Sequence, residues 1–140
     1  MSFRNLAVFT AIVTFVLGVG YLFAGATVVG RWQIEPTESV LLLGRRIGAL
    51  YLGLSVIYFL ARAVPLSAAR TALCAGTALT CCVLVVLGIY EFSAGRIGSG
   101  IFVSVAIEAF LALGYIWLLL TGRKTTAAMS PPGDATNRLR

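Results

Sequence analysis

The sequence predicts an all-α protein: a four-helix transmembrane bundle with short loops and both termini on the same side. Four long apolar runs fill almost all of the 140 residues, and about 18 or more consecutive apolar residues are typical of a membrane-spanning helix. Hydrophobic residues make up 59% of the chain and charged residues 11%, whereas soluble domains carry about 25% charged residues. With one exception, Glu108, charged residues lie at the edges of the runs.

The first helix is predicted over about residues 5–29. An uncharged run from Leu6 to Gly30 follows Arg4, and its second half is rich in small residues, which let neighbouring helices approach closely. The segment 24–26 (Ala-Gly-Ala) resembles a signal-peptidase site. The apolar region before it is longer than the usual stretch of about 7–15 residues, which favours a retained helix.

The second helix is predicted over about residues 38–63, with Thr37 as its N-cap. The uncharged stretch between Arg46 and Arg62 is only about 22 Å of helix, whereas the hydrocarbon layer is about 30 Å thick. The helix must therefore begin earlier, which draws Arg45 and Arg46 below the interface. They either extend back towards the headgroups, or one of them turns inward.

The third and fourth helices are predicted over about residues 67–91 and 98–122, with Ser67 as the N-cap of the third. The four helices form one transmembrane domain over residues 1–124. Residues 125–140 have too few apolar side chains to fold alone, so we expect a disordered cytoplasmic tail.

The distribution of basic residues predicts the topology. Seven lie on the side of the N-terminus: Arg4, Arg62, Arg70, Arg123, Lys124, Arg138 and Arg140. Four lie on the other side: Arg31, Arg45, Arg46 and Arg96. The positive-inside rule then predicts that both termini are cytoplasmic. Arg is much commoner than Lys, which suggests a GC-rich bacterial genome and so a multi-pass protein of the bacterial inner (plasma) membrane.

Glu108 is the main candidate for a functional residue, because a carboxylate in hydrocarbon is costly and usually has a partner or a role. It lies about 22 Å along the fourth helix from Arg123, and Arg45 lies about 26 Å along the second helix from Arg62. The two side chains are therefore at similar depth. We expect an ion pair between Glu108 and Arg45, with Arg46 as the alternative.

Helical periodicity indicates which residues accompany Glu108. Small and polar residues share one face of the second helix and one face of the fourth. Three interpretations stay open. One is a buried ion pair that only holds helix register, and another is a polar cavity where Glu108 accepts a proton or binds a cation between tyrosines. A third places Glu108 against lipid or a partner. The candidate binding or ion-pair residues are Glu108, Arg45, Arg46, Tyr51, Ser55, Tyr58, Ser104 and Tyr115.

Other kinds of site are not expected. The chain has no His, which removes imidazole ligands and the commonest general base. Cys74, Cys81 and Cys82 lack the spacing of a redox pair and are interpreted as small core residues. We therefore predict no catalytic residue, metal ligand or cofactor, and no enzymatic activity. Basic residues stand singly or in pairs at helix ends, which does not favour nucleic-acid binding.

Two segments carry a family resemblance: 45–55 (Arg-Arg-Ile-Gly-Ala-Leu-Tyr-Leu-Gly-Leu-Ser), with Ala61-Arg62 after it, and 18–24 in the first helix. They are similar to small four-helix inner-membrane proteins of bacteria, broadly the DoxX-like group. The resemblance implies a four-helix inner-membrane protein of uncharacterised function. That group often has Glu at the position of Tyr51, so a redox-linked role is not carried over.

The function expected first is a non-enzymatic scaffold or accessory subunit of a membrane complex, because the interior has little polar chemistry and the loops are short. The alternative is a small oligomeric transporter or channel that uses Glu108. The expected partners are the lipid bilayer and either a second copy of the chain or a larger membrane complex, with no nucleic acid.

Overall fold

The computed structural model describes residues 2–128, and the side chains of residues 2–122. This part of the chain is helical, and four of its helices are long and apolar enough to cross a membrane, as predicted. The helices are α1 (Phe3–Phe23), α2 (Gly25–Gly30), α3 (Glu38–Ala61), α4 (Ala68–Ser93) and α5 (Ile101–Ala128). Helix α5 thus enters the segment predicted as a disordered tail, and residues 129–140 of that segment lie outside the described residues.

Hydroxyl side chains begin three of the helices. Ser2 accepts a hydrogen bond from the backbone N–H of Asn5, and Thr37 and Ser67 accept corresponding bonds at the starts of α3 and α4. Such caps satisfy backbone donors that have no partner within the helix. Thr37 and Ser67 are the caps that the sequence predicts.

The run predicted as one helix over residues 5–29 is broken at Ala24, which has φ −133° and ψ 33°. Its N–H still donates to the carbonyl of Gly20 at 2.8 Å, and α2 begins directly afterwards. Glycine weakens a helix by about 1 kcal/mol relative to alanine, and Gly20 and Gly25 flank the break. The apolar pattern continues through this point, so it does not reveal the change of direction.

Glycines bring α1 and α3 into close contact. A Cβ atom on Gly48 would lie 2.9 Å from the carbonyl oxygen of Gly18, and one on Gly18 would lie 3.0 Å from that of Gly48. Helices α4 and α5 form the second close pair, where a Cβ on Gly88 would lie 2.7 Å from Cγ2 of Val105. Small residues at such contacts are typical of helices packed within a bilayer.

Large side chains, rather than closely packed backbone, join the α1–α3 pair to the α4–α5 pair. Tyr115 of α5 is completely buried there and Tyr58 of α3 is 6% exposed. The buried core lies around them, towards the end of the bundle that contains Phe3. Its members are Phe3, Leu6, Ala7, Ala11, Tyr58, Cys74, Ala78, Cys81, Leu111, Ala112 and Tyr115.

The two ends of the bundle are held differently. At the end containing Phe3, the guanidinium of Arg70 lies 4.3 Å from the centre of the Phe3 ring. At the opposite end, the connections before α3 and before α5 meet, and the N–H of Gly98 donates to the carbonyl of Trp32 at 2.7 Å. We call these the Phe3 end and the Trp32 end.

Candidate site around Glu108

The predicted ion pair of Glu108 with Arg45 or Arg46 does not form. Both arginines are exposed on the outer face of α3, and Nε of Arg45 donates to the carbonyl of Leu41 at 3.4 Å. Among the described side chains, the ion pair is the one between Glu91 and Arg96. Position along the helix axis was a sound reason to consider Arg45, but the rotation of α3 excludes it.

The rotation of α3 follows from its glycines. A Cβ on Gly44 would lie 3.3 Å from Cδ1 of Tyr21, so this face of α3 is turned towards α1. At 100° per residue, residues 45 and 46 lie about 100° and 200° away from Gly44. Turning either arginine inward would turn the glycine contact away from α1.

Glu108 lies on the inward face of α5 and is half-buried. Ile101, Leu111 and Tyr115 are buried on the same face, and Ser104 is half-buried one turn before Glu108. This spacing matches one side of a helix. The periodic pattern thus placed Glu108 on the inward face, whereas it could not identify the residues opposite.

Three other helices contribute groups near Glu108. Tyr21 of α1, Tyr51 of α3 and Cys81 of α4 lie within electrostatic range of its carboxylate. We call these four residues the Glu108 site. Within the part of the chain whose side chains are described, no cationic side chain forms an ion pair with Glu108. The carboxylate therefore faces the space between the two helix pairs without a neutralising partner from these residues.

Tyr21 and Tyr51 form one wall of the Glu108 site. Their rings stack with centroids 6.1 Å apart and an interplanar angle of 18°. Trp32 meets the Tyr21 ring edge-on at 6.5 Å. The absence of a side chain at Gly48 makes room for this wall, because a Cβ there would lie 3.0 Å from the Cβ of Tyr21.

Sequence reasoning did not identify Tyr21 as a site residue. Its spacing of three residues from Gly18 was an available signal, because residues three apart share a helix face. Cys74 and Cys81, interpreted from the sequence as small core residues, are buried, whereas the same interpretation of Cys82 is wrong because its side chain is exposed. The position of Cys81 near Glu108 could not be deduced from its own helix.

Tyr58 and Tyr115 were predicted beside Glu108, but the structure places their hydroxyls in a separate cluster. The hydroxyl of Tyr115 bonds to Oγ1 of Thr10 at 2.8 Å, and that of Tyr58 bonds to Oγ1 of Thr77. Tyr115 follows Glu108 by two helical turns, or about 10 Å. We call Thr10, Tyr58, Thr77 and Tyr115 the hydroxyl cluster, to which each spanning helix contributes one residue.

The hydrogen bonds of the hydroxyl cluster have a defined direction. Thr10 donates to the carbonyl of Leu6 at 2.9 Å and Thr77 donates to that of Leu73 at 2.6 Å. A hydroxyl has one hydrogen to donate, so each threonine oxygen accepts from its tyrosine. The cluster is therefore internally satisfied, and its role is to join the four helices. Ser55 is buried on α3 between Tyr51 and Tyr58.

The chemistry available at the Glu108 site is that of a carboxylate, two phenols and a thiol. A carboxylate in a spanning segment can take up a proton or bind a cation, and aromatic faces attract cations. Within residues 2–128, no three residues of the His, Cys, Asp and Glu types come together as ligands for a metal ion. No family model, curated protein or solved structure matches the chain.

Proposed function

We propose that this integral membrane protein binds a proton or a small cation at Glu108 and acts as a small oligomeric transporter or channel. The observation that carries the proposal is the half-buried carboxylate between the two helix pairs, which has no cationic partner among the described side chains. An unpaired charge is costly in a low-dielectric interior. A proton or a bound cation removes that cost.

The surroundings of Glu108 support a cation over other ligands. Tyr21 and Tyr51 add aromatic faces, which attract positive charge electrostatically. The basic residues nearest in depth, Arg45 and Arg46, point away from the site and therefore do not attract anions to it. Four helices enclose little volume, so a continuous pathway requires a second copy of the chain, which the proposal includes.

The scaffold or accessory-subunit role, expected first from the sequence, stays a prediction, as does the expectation that the protein is not an enzyme. The broad apolar outer faces support it. Less than a quarter of the most apolar stretch of each of these two helices is buried within the chain: 17% for α3 and 22% for α4. Those faces leave room for partner helices as well as for lipid.

We further propose that the membrane is the bacterial inner membrane and that both termini are cytoplasmic. The support is the excess of basic residues on the N-terminal side of the predicted spans. Reporter fusions at each terminus, one active only in the cytoplasm and one only outside it, test the orientation. The resemblance to the DoxX-like group also stays a prediction.

The transport proposal is tested with the purified full-length protein in liposomes. Wild type, Glu108→Gln and Glu91→Gln are compared for proton uptake under an imposed potential, and for sodium and potassium flux. Glu91 is the matched control, because it is a carboxylate at the end of α4 that pairs with Arg96. We expect flux in wild type and Glu91→Gln and its loss in Glu108→Gln.

Two results contradict the transport proposal. One is wild-type flux no higher than that of protein-free vesicles, for each ion tested. The other is unchanged flux in Glu108→Gln. Size-exclusion chromatography of each variant before reconstitution verifies that a loss of flux does not come from misfolding.

A further inference from the structure

Among the described arginines, Arg45 and Arg46 are the two that are adjacent in the sequence, and three of the other five have a partner within the chain. Arg62 and Arg70 lie over the rings of Phe59 and Phe3, and Arg96 pairs with Glu91. Arg45 and Arg46 form no ion pair within the described part of the chain, and the bond from Nε of Arg45 to Leu41 leaves its terminal nitrogens free to bind. Two adjacent guanidinium groups are thus available on one helix.

The surface around the pair is apolar. Leu42, Leu43 and Leu50 are 59%, 60% and 70% exposed. These leucines precede and follow the arginines on the outer side of α3, where they meet the acyl chains if α3 spans the bilayer. The arginines therefore lie on the lipid-facing surface, not within a polar loop.

The depth of Arg45 and Arg46 in the membrane determines which part of a lipid their guanidinium groups contact. Arg45 lies about 26 Å along α3 from Arg62, and the hydrocarbon layer is about 30 Å thick. Its backbone is therefore about 4 Å inside the hydrocarbon at the Trp32 end. A long arginine side chain extends over that distance and places its guanidinium at the level of the headgroups.

The chemistry of the pair indicates a phosphate. A guanidinium donates two parallel hydrogen bonds to a phosphate oxygen pair, which makes arginine well suited to bind this group. We propose that Arg45 and Arg46 together bind the phosphate of an anionic phospholipid in the leaflet at the Trp32 end. The leucines beside them bind its acyl chains. A headgroup with a net negative charge is preferred, because the positively charged group of a zwitterionic headgroup would lie close to the two arginines.

The proposal fits the length of α3. The longest uncharged stretch of this helix, from Ile47 to Ala61, is too short to cross the hydrocarbon alone. A lipid phosphate held by the arginines offsets the cost of charges so near the acyl chains. The lipid would thereby anchor α3 at its correct depth.

The test measures lipid binding by the full-length protein in detergent. Wild type, the double variant Arg45→Gln/Arg46→Gln and the control Arg31→Gln are each mixed with equal amounts of phosphatidylglycerol and phosphatidylcholine. Native mass spectrometry then counts the lipids retained. Arg31 is the matched control because it is exposed and lies in the connection at the same end of the bundle.

We expect wild type and Arg31→Gln to retain phosphatidylglycerol over phosphatidylcholine, and the double variant to bind it about tenfold more weakly, as expected for the loss of charge-assisted bonds. Equal retention by the double variant overturns the proposal. So does a wild type without preference between the two lipids. If inorganic phosphate at millimolar concentration displaces the lipid from wild type, the pair is instead a site for a free anion. An acidic protein that co-purifies in place of lipid would also refute lipid binding.

Discussion

Tyr115 of α5 donates a hydrogen bond to Thr10 of α1 over 2.8 Å, although the two residues are 105 positions apart in the sequence. The bond joins the α1–α3 pair to the α4–α5 pair at a completely buried position. Because both hydroxyls are buried away from the solvent, losing either one leaves the other without an equivalent partner. The contact thus links the halves of the chain where their backbones are not closely packed.

Replacing Tyr115 with Phe should destabilise the bundle by about 0.5–1.5 kcal/mol, the net value of a hydrogen bond. Thr10→Val should cost a similar amount, and the double variant should cost less than the sum because the two residues share one bond. Thermal unfolding in detergent measures the cycle. Thr80→Val, at an exposed position on α4, is the control and should have little effect. Fully additive losses would show that the bond contributes nothing.

Gly48→Ala should destabilise the protein by about 1–3 kcal/mol, as overpacking typically does. The new Cβ meets the carbonyl of Gly18, and backbone cannot move aside as a flexible side chain can. Gly53→Ala is the matched control on the same helix, because nothing lies within 4 Å of a Cβ there. It should be neutral or stabilising by up to about 1 kcal/mol, owing to the better helix propensity of alanine. Equal effects of the two variants on the unfolding temperature would refute close α1–α3 packing.

Glu108→Gln and Arg45→Gln should have independent effects on the free energy of unfolding. The two side chains do not pair, and residues without shared contacts give additive changes to within about 0.3–0.5 kcal/mol. A thermal-stability cycle in detergent tests this directly. If the double variant loses clearly less stability than the sum of the two single losses, the two side chains do pair as expected from the sequence. That result would weaken the transport proposal.

Changes at Tyr21 should separate the role of its ring from that of its hydroxyl. Tyr21→Phe retains the face that stacks on Tyr51, so cation flux should stay close to wild type. Tyr21→Leu removes a contribution of about 0.5–2 kcal/mol to cation binding, so the apparent affinity should fall between about twofold and thirtyfold. The readout is the concentration dependence of ion flux in liposomes. Equal affinities for both variants would argue against an aromatic wall.

Sequence reasoning predicted part of the candidate site. Helical periodicity placed Glu108, Leu111 and Tyr115 on one face of α5, because this relation depends only on the geometry of a single helix. The partners across the interior were predicted poorly. Arg45 was matched to Glu108 by its depth and by its angle around the second helix, although it points outward. Tyr58 and Tyr115 were assigned to Glu108 although their hydroxyls belong to a separate cluster.

The sequence by itself determined the four spanning helices and the caps at Thr37 and Ser67. Both are local properties: the length of an apolar run is compared with the thickness of a bilayer, and a hydroxyl bonds to a backbone N–H three residues later. The tertiary structure decided the break at Ala24, the outward direction of Arg45 and the approach of Tyr21 to Glu108. The last two depend on how each helix is rotated against its neighbours. Glycine contacts between distant segments set that rotation, and the apolar pattern of a single helix does not encode it.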